Sequence, residues 1–140
     1  MRKFLVAGIA AIALAGCEIS ISEGTAIEKG QEMVASALKD PGSALFDDVF
    51  MVEEQAIGET RYGYLCGSVN AKNSMGGRTG FRRFAANFNY SPAGHIEVGD
   101  IQLEEGVLAK PGPDGISYFD SYYWTKRCQR STDSADSTSR

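Results

Sequence analysis

One histidine, four prolines, one tryptophan and three cysteines among 140 residues leave little for several kinds of chemistry. A lone imidazole and no closely spaced cysteine pair supply too few ligands for an ordinary zinc site. Basic residues are outnumbered by acidic ones, 14 to 18, and the formal charge of −4 argues against a nucleic-acid binder, which needs cations to neutralise phosphates. No apolar run reaches the roughly 20 residues that cross a bilayer as a helix. No G-x-S-x-G, H-E-x-x-H or phosphate-loop spacing occurs, and no internal repeat is visible. What remains is 43% hydrophobic, an ordinary globular fraction, in a length that suits a single domain.

The first seventeen residues carry an address. Met1-Arg2-Lys3 is a short basic start, and Phe4 to Leu14 is an uncharged stretch rich in Ala, Ile, Leu and Val. A basic start, a short apolar segment and small residues before a cut site describe a secretory signal peptide. Leu14-Ala15-Gly16-Cys17 resembles the lipobox of bacterial lipoproteins. That resemblance implies that residues 1–16 are removed and that Cys17 becomes the acylated N-terminus, bound to the membrane through palmitate-type chains. Each buried methylene of such chains contributes about 0.8 kcal/mol. The resemblance also implies a periplasm-facing protein. Glu18, where an Asp would favour retention in the inner membrane, leans towards the outer one.

Charge is unevenly placed along the rest of the chain. Residues 17–60 carry ten acids and two bases, whereas residues 61–90 carry five bases and no acid. Residues 91–120 are again acidic. One positive block in an acidic chain either pairs internally or faces a partner. Cys66 and Cys128 are left once Cys17 is acylated, and an even pair in an exported chain suggests a disulfide. Closing a loop of about 62 residues contributes roughly 4 kcal/mol in the chain-entropy treatment. The pair lacks the C-x-x-C spacing of redox catalysts.

Residues 17–24 read as a lipidated tether, 25–128 as one domain and 129–140, which hold nothing larger than Ala to bury, as a disordered tail. Thr25 and Glu28 form a T-x-x-E capping box for a helix with Ile27, Gly30, Val34 and Leu38 on one face. Lys39 closes it, and Asp40-Pro41-Gly42 stops it. Strands come next: a β-rich stretch at Val49 to Glu54, a turn at Ala56 to Glu59, then Tyr62 to Val69, Phe81 to Tyr90 and Ile96 to Leu103. In the second, Tyr62, Tyr64 and Cys66 share a face opposite Leu65 and Val69; in the third, Phe84, Ala86, Phe88 and Tyr90 oppose Arg83, Asn87 and Asn89. A phase slip at Gly99-Asp100 indicates a bulge or a tight hairpin. Asp120, Trp124 and Cys128, four apart, favour a terminal helix over 118–128, with a last strand as the alternative. The expected fold is α+β: an N-terminal helix on an antiparallel sheet of about four strands, a C-terminal helix and one disulfide.

Between the second and third strands lies Cys66-Gly67-Ser68-Val69-Asn70-Ala71-Lys72-Asn73-Ser74-Met75-Gly76-Gly77-Arg78-Thr79-Gly80-Phe81-Arg82-Arg83-Phe84. With Lys39-Asp40-Pro41-Gly42-Ser43-Ala44-Leu45-Phe46, this segment resembles an uncharacterised family of small bacterial proteins sharing K-D-P-x-S-A-x-F and C-G-x-V-N-x-K-N-x-x-G-G-x-T-G-F. The resemblance covers residues 34–84 and implies no activity. Members tend to carry an aromatic at the positions of Met75 and Arg78, and this chain departs at both. Physically, the segment suits a long hairpin, with glycines at positive φ and asparagines bonding their own backbone. It also suits an anion or glycan site, with the Gly76 and Gly77 N–H groups beside Lys72 and Arg78. The candidate binding loop is thus Asn70, Lys72, Asn73, Gly76, Gly77, Arg78, Arg82 and Arg83, the last two read as strand-surface charges answering Asp47, Asp48, Glu53 or Glu54.

No catalytic group, metal or cofactor is expected. His95 follows a turn, and Asp47-Asp48, Glu53-Glu54 and Glu104-Glu105 are sequence neighbours that point to opposite faces of a strand. The expectation is a lipid-anchored envelope protein acting as a non-catalytic binding or scaffolding domain. Its partners would be the membrane, through Cys17, and an envelope protein or an anionic or glycan ligand. An inhibitor or immunity-type lipoprotein working through the 70–83 loop is the alternative, and a small hydrolase using His95 ranks behind both.

Overall fold

The computed structural model describes Gly16 and residues 19–130. The expected signal peptide (apart from Gly16), the expected acylation site Cys17 and residues 131–140 of the expected tail lie outside the described residues. Helix α1, Glu23–Ser36, is followed by a 3-10 turn, Pro41–Ser43, and four strands, β1 Leu45–Ile57, β2 Thr60–Asn70, β3 Arg82–Tyr90 and β4 Ile96–Leu103. The strands form an antiparallel meander in the order β1-β2-β3-β4. A π-helical turn, Asp120–Trp124, then runs into a last α-helical turn, α2, Thr125–Arg127. The terminal element is therefore helical, with residues 118–127 in helical turns, as the four-residue spacing of Asp120, Trp124 and Cys128 suggested.

The helix cap differs from expectation. Ser22, not Thr25, is the N-cap; its Oγ accepts the Thr25 backbone N–H at 3.2 Å. The helix thus takes in Glu23 and Gly24, two residues expected in the tether, and Ile21 is already fastened by its N–H to the Pro92 carbonyl at 2.8 Å. Capping at Ser22 leaves Thr25 inside the first turn of the helix. At its far end α1 stops at Ser36, before Lys39.

Alternation in β2 and β3 sorts side chains into two cores, one on each face. Leu65, Val69, Phe84, Phe88 and Tyr90 meet Ala26 and Val34 of α1. Cys66 and Ala85 meet Phe119 and Cys128, with Phe50, Tyr64, Tyr123 and Trp124 packed around them. The sheet is therefore a middle layer. Cys66 and Cys128 are joined by a disulfide, their Cα atoms 5.8 Å apart, which ties the C-terminal cover to the centre of the sheet.

β1 starts earlier than expected, because Asp47-Asp48 is a bulge and not a loop. The register slips between Asp47 and Phe50, and Asp48 takes φ +48°. The opposite residue is Gly67, where a Cβ would lie 2.9 Å from the Val49 Cα. The phase slip in β4 is likewise a bulge: between the pairs Ala85–Gln102 and Asn87–Gly99, one residue of β3, Ala86, faces two of β4, Asp100 and Ile101, and Asp100 takes φ +45°.

Candidate functional site

Antiparallel order places the connections at two ends of the sheet. The β1–β2 turn at Gly58-Glu59 and the β3–β4 turn at 91–95 lie at one end, together with Ile21 and the start of α1. The β2–β3 connection, residues 71–81, lies at the other, beside the end of α1 and the 3-10 turn. With 14 residues at 1.5 Å each, α1 spans about 21 Å between the two.

The connection is a self-bonded hairpin. Lys72 and Arg78 form an antiparallel bridge, and the Asn73 N–H donates to the Gly77 carbonyl at 2.8 Å. The Asn73 Oδ1 accepts the N–H groups of Met75 and Gly77 at 3.0 and 3.1 Å, and the Gly76 N–H donates to the Asn73 carbonyl at 3.0 Å. Gly76 takes φ +81°, a conformation glycine adopts without steric cost. Asn73 is thus an organiser, and the two glycine N–H groups expected as anion donors are already bonded to it.

Ser43 joins the two sequence motifs. Its hydroxyl donates to the Asp40 carbonyl at 2.8 Å and accepts the Lys72 N–H at 2.8 Å. Its carbonyl accepts Arg78 Nη1 at 3.0 Å, and the same guanidinium lies 3.4 Å from the Asn70 carbonyl. Arg78 is therefore turned back against the fold as a brace. No charge or metal-ligand pattern marks Ser43 in the sequence; its signal is its place in the K-D-P-x-S-A-x-F segment, in the turn after Pro41.

Arg82 and Arg83 do not answer the β1 acids. β3 lies between β2 and β4, one strand removed from β1. Asp48 pairs with Arg130 at 2.7 Å and Glu53 with Arg61 at 2.8 Å. Arg82 pairs with Glu105 and, on the opposite face, Arg83 forks onto Glu104 at 2.7 and 2.8 Å and reaches Asp120 at 2.9 Å. The Arg83 guanidinium also lies over Trp124, 4.9 Å from its ring centroid. The hydrogen bond to Glu104 holds its pKa above the ordinary arginine value, against the opposing effect of burial. Arg83 is a structural cation holding the C-terminal cover.

Of the candidate loop, exposed Lys72 lines a cleft past the end of α1 together with Lys39 and Arg82. The sequence marks Lys39 only as a helix stop. At the opposite end of the sheet His95 is 58% exposed and lies 3.5 Å from Glu97, with no hydroxyl or thiol nucleophile hydrogen-bonded to it among the described residues. Among the described residues no group of three or more His, Cys, Asp or Glu could hold a metal ion.

No protein-family model matches this chain, and neither a curated protein nor a solved structure shows significant similarity to it.

Proposed function

We propose that this chain is a lipid-anchored, periplasm-facing protein of the bacterial envelope whose domain is a non-catalytic binding or scaffolding module. The supporting observation is the placement of its two ends. The chain enters the fold at Ile21, beside Pro92, and the hairpin organised by Asn73 lies at the opposite end of the sheet. An anchor at Cys17 would leave only residues 18–20 as a leash, about 10 Å when extended. It would hold the turn end near the lipid and point the hairpin away from it.

Membrane fractionation with a clickable palmitate analogue tests the anchor. Wild type is expected to carry the label and sediment with membranes, and Cys17→Ser to lose both properties. A wild-type chain that is unlabelled and soluble overturns the reading.

Met75, 95% exposed at the hairpin tip, favours a second reading, in which the hairpin inserts into a protein partner as an inhibitor or immunity-type lipoprotein does. A photo-crosslinking residue at Met75 would then give one discrete protein adduct in cells, and the same residue at Ala93 none.

A further inference from the structure

The hairpin end carries a cleft of about 240 Å³ between residues 37–39, just past the end of α1, and residues 71–79 of the hairpin. Its lining contains three cations, Lys39, Lys72 and Arg82, against one carboxylate, Glu105, while Leu38 and Leu103 supply apolar wall. Glu105 takes up part of the Arg82 guanidinium, but the Arg82 Nε is buried with no hydrogen-bond partner among the described residues. That Nε is enclosed by protein, as is the unpaired Asn70 Oδ1, so the capacity of the cleft for an acceptor rests on its excess of cations over carboxylates. The volume lies below the roughly 300–1,000 Å³ of pockets that enclose drug-sized molecules, which restricts the ligand to a few heavy atoms.

We propose that this cleft binds a small carboxylate carrying a short apolar arm, of the size of an N-acylated amino acid. The carboxylate is placed at Lys72 and Arg82, and the arm against Leu38 and Leu103. The end of α1 is the negative end of the helix dipole, which disfavours a nearby anion. That effect keeps the charge on the hairpin side of the cleft and leaves the arm towards the helix. The inference rests on the reading of this end as the binding end, and it moves the site from the hairpin tip, where the glycine N–H groups are occupied, to the hairpin's inner flank.

The test is a titration of the mature lipidated protein in detergent, with its leucine methyl groups isotopically labelled, followed by NMR. N-acetylalanine is the probe, with inorganic phosphate as an anion lacking the arm. Saturable shifts are expected at Leu38 and Leu103 but not at Leu45, with an affinity lowered about tenfold in Lys39→Gln/Lys72→Gln, from two exposed charge contacts of up to about 1 kcal/mol each. Both lysines are exposed, so the double variant keeps the fold, and unchanged methyl spectra without probe confirm this. Phosphate is expected to bind more weakly and to leave the leucine methyls unmoved. No saturable shift at these methyls, equal binding of phosphate, or an unchanged affinity in the double variant overturns the proposal. Membrane labelling through Cys17 and crosslinking through Met75 read the broader function independently, so either result can fail without the other.

Discussion

Arg83 and Asp120 face each other at 2.9 Å across the junction between β3 and the C-terminal cover. Their pairing is one of several fastenings on that cover, with the Cys66–Cys128 disulfide and the ion pairs Arg127–Asp100 at 3.1 Å and Arg130–Asp48 at 2.7 Å. The cover is thus held by one covalent and three ionic links over a small aromatic core of Phe119, Trp124 and Phe50.

The ionic links make the cover sensitive to acid. The hydrogen bond from Arg83 holds the Asp120 carboxyl below its ordinary value, and hydrogen bonds from Gln102 and then Arg127 do the same for Asp100. A carboxyl depressed in the folded state binds fewer protons there than in the unfolded chain. Its stabilisation is therefore complete above the unfolded pKa, near 3.8, and is lost as pH falls through the lower folded value. Urea midpoints should be flat from about pH 7 to 5 and fall below about pH 4, with a shallower fall in Asp120→Asn. An equal acid slope in both proteins would remove Asp120 from this account.

Reducing the staple should loosen the same layer. Cys66→Ala/Cys128→Ala is expected to lose about 4 kcal/mol of unfolding free energy, the value for a loop of this length, a large share of the roughly 5–15 kcal/mol typical of a domain. Equilibrium urea unfolding with and without reductant measures it. A loss under about 1 kcal/mol would mean that the cover is held by its aromatic and ionic contacts alone.

Gly30 sets the distance between α1 and the sheet. A Cβ there would lie 2.8 Å from Leu65 Cδ2 and 3.0 Å from Phe88 Cε2, two side chains that are almost wholly buried. Alanine gains about 1 kcal/mol of helix propensity, while overpacking a filled core costs about 1–3 kcal/mol. Gly30→Ala should therefore lower the thermal midpoint, although the same change on an exposed helix face would raise it.

Asn73 organises the hairpin, so Asn73→Ala should abolish protection of the Met75 and Gly77 amides without unfolding the sheet. Hydrogen exchange read by NMR should show faster exchange at these two amides and unchanged rates at Leu65 and Phe84. Slowed or unaltered exchange at Gly77 would show that its bond to Asn73 is not what orders the turn.

Residue alternation by itself determined much of this protein. In β2 and β3, apolar residues two apart dictated which side chains face α1 and which face the C-terminal cover, because strand side chains alternate whatever lies beyond the sheet. The phase slip at Gly99-Asp100 announced the β4 bulge for the same reason, and the pair Cys66 and Cys128 announced their disulfide. Local pattern could not decide matters that depend on a neighbour distant in sequence. Asp47-Asp48 entered a strand because Gly67 opposite leaves room for the bulge. Arg82 and Arg83 took β4 and C-terminal carboxylates because strand order, not nearness in sequence, decides which charges lie within hydrogen-bond reach. The candidate site shows the same division. Its glycines and asparagines marked a hairpin, but Lys39, Leu38 and Leu103 joined Lys72 only when antiparallel packing brought the end of the helix beside it.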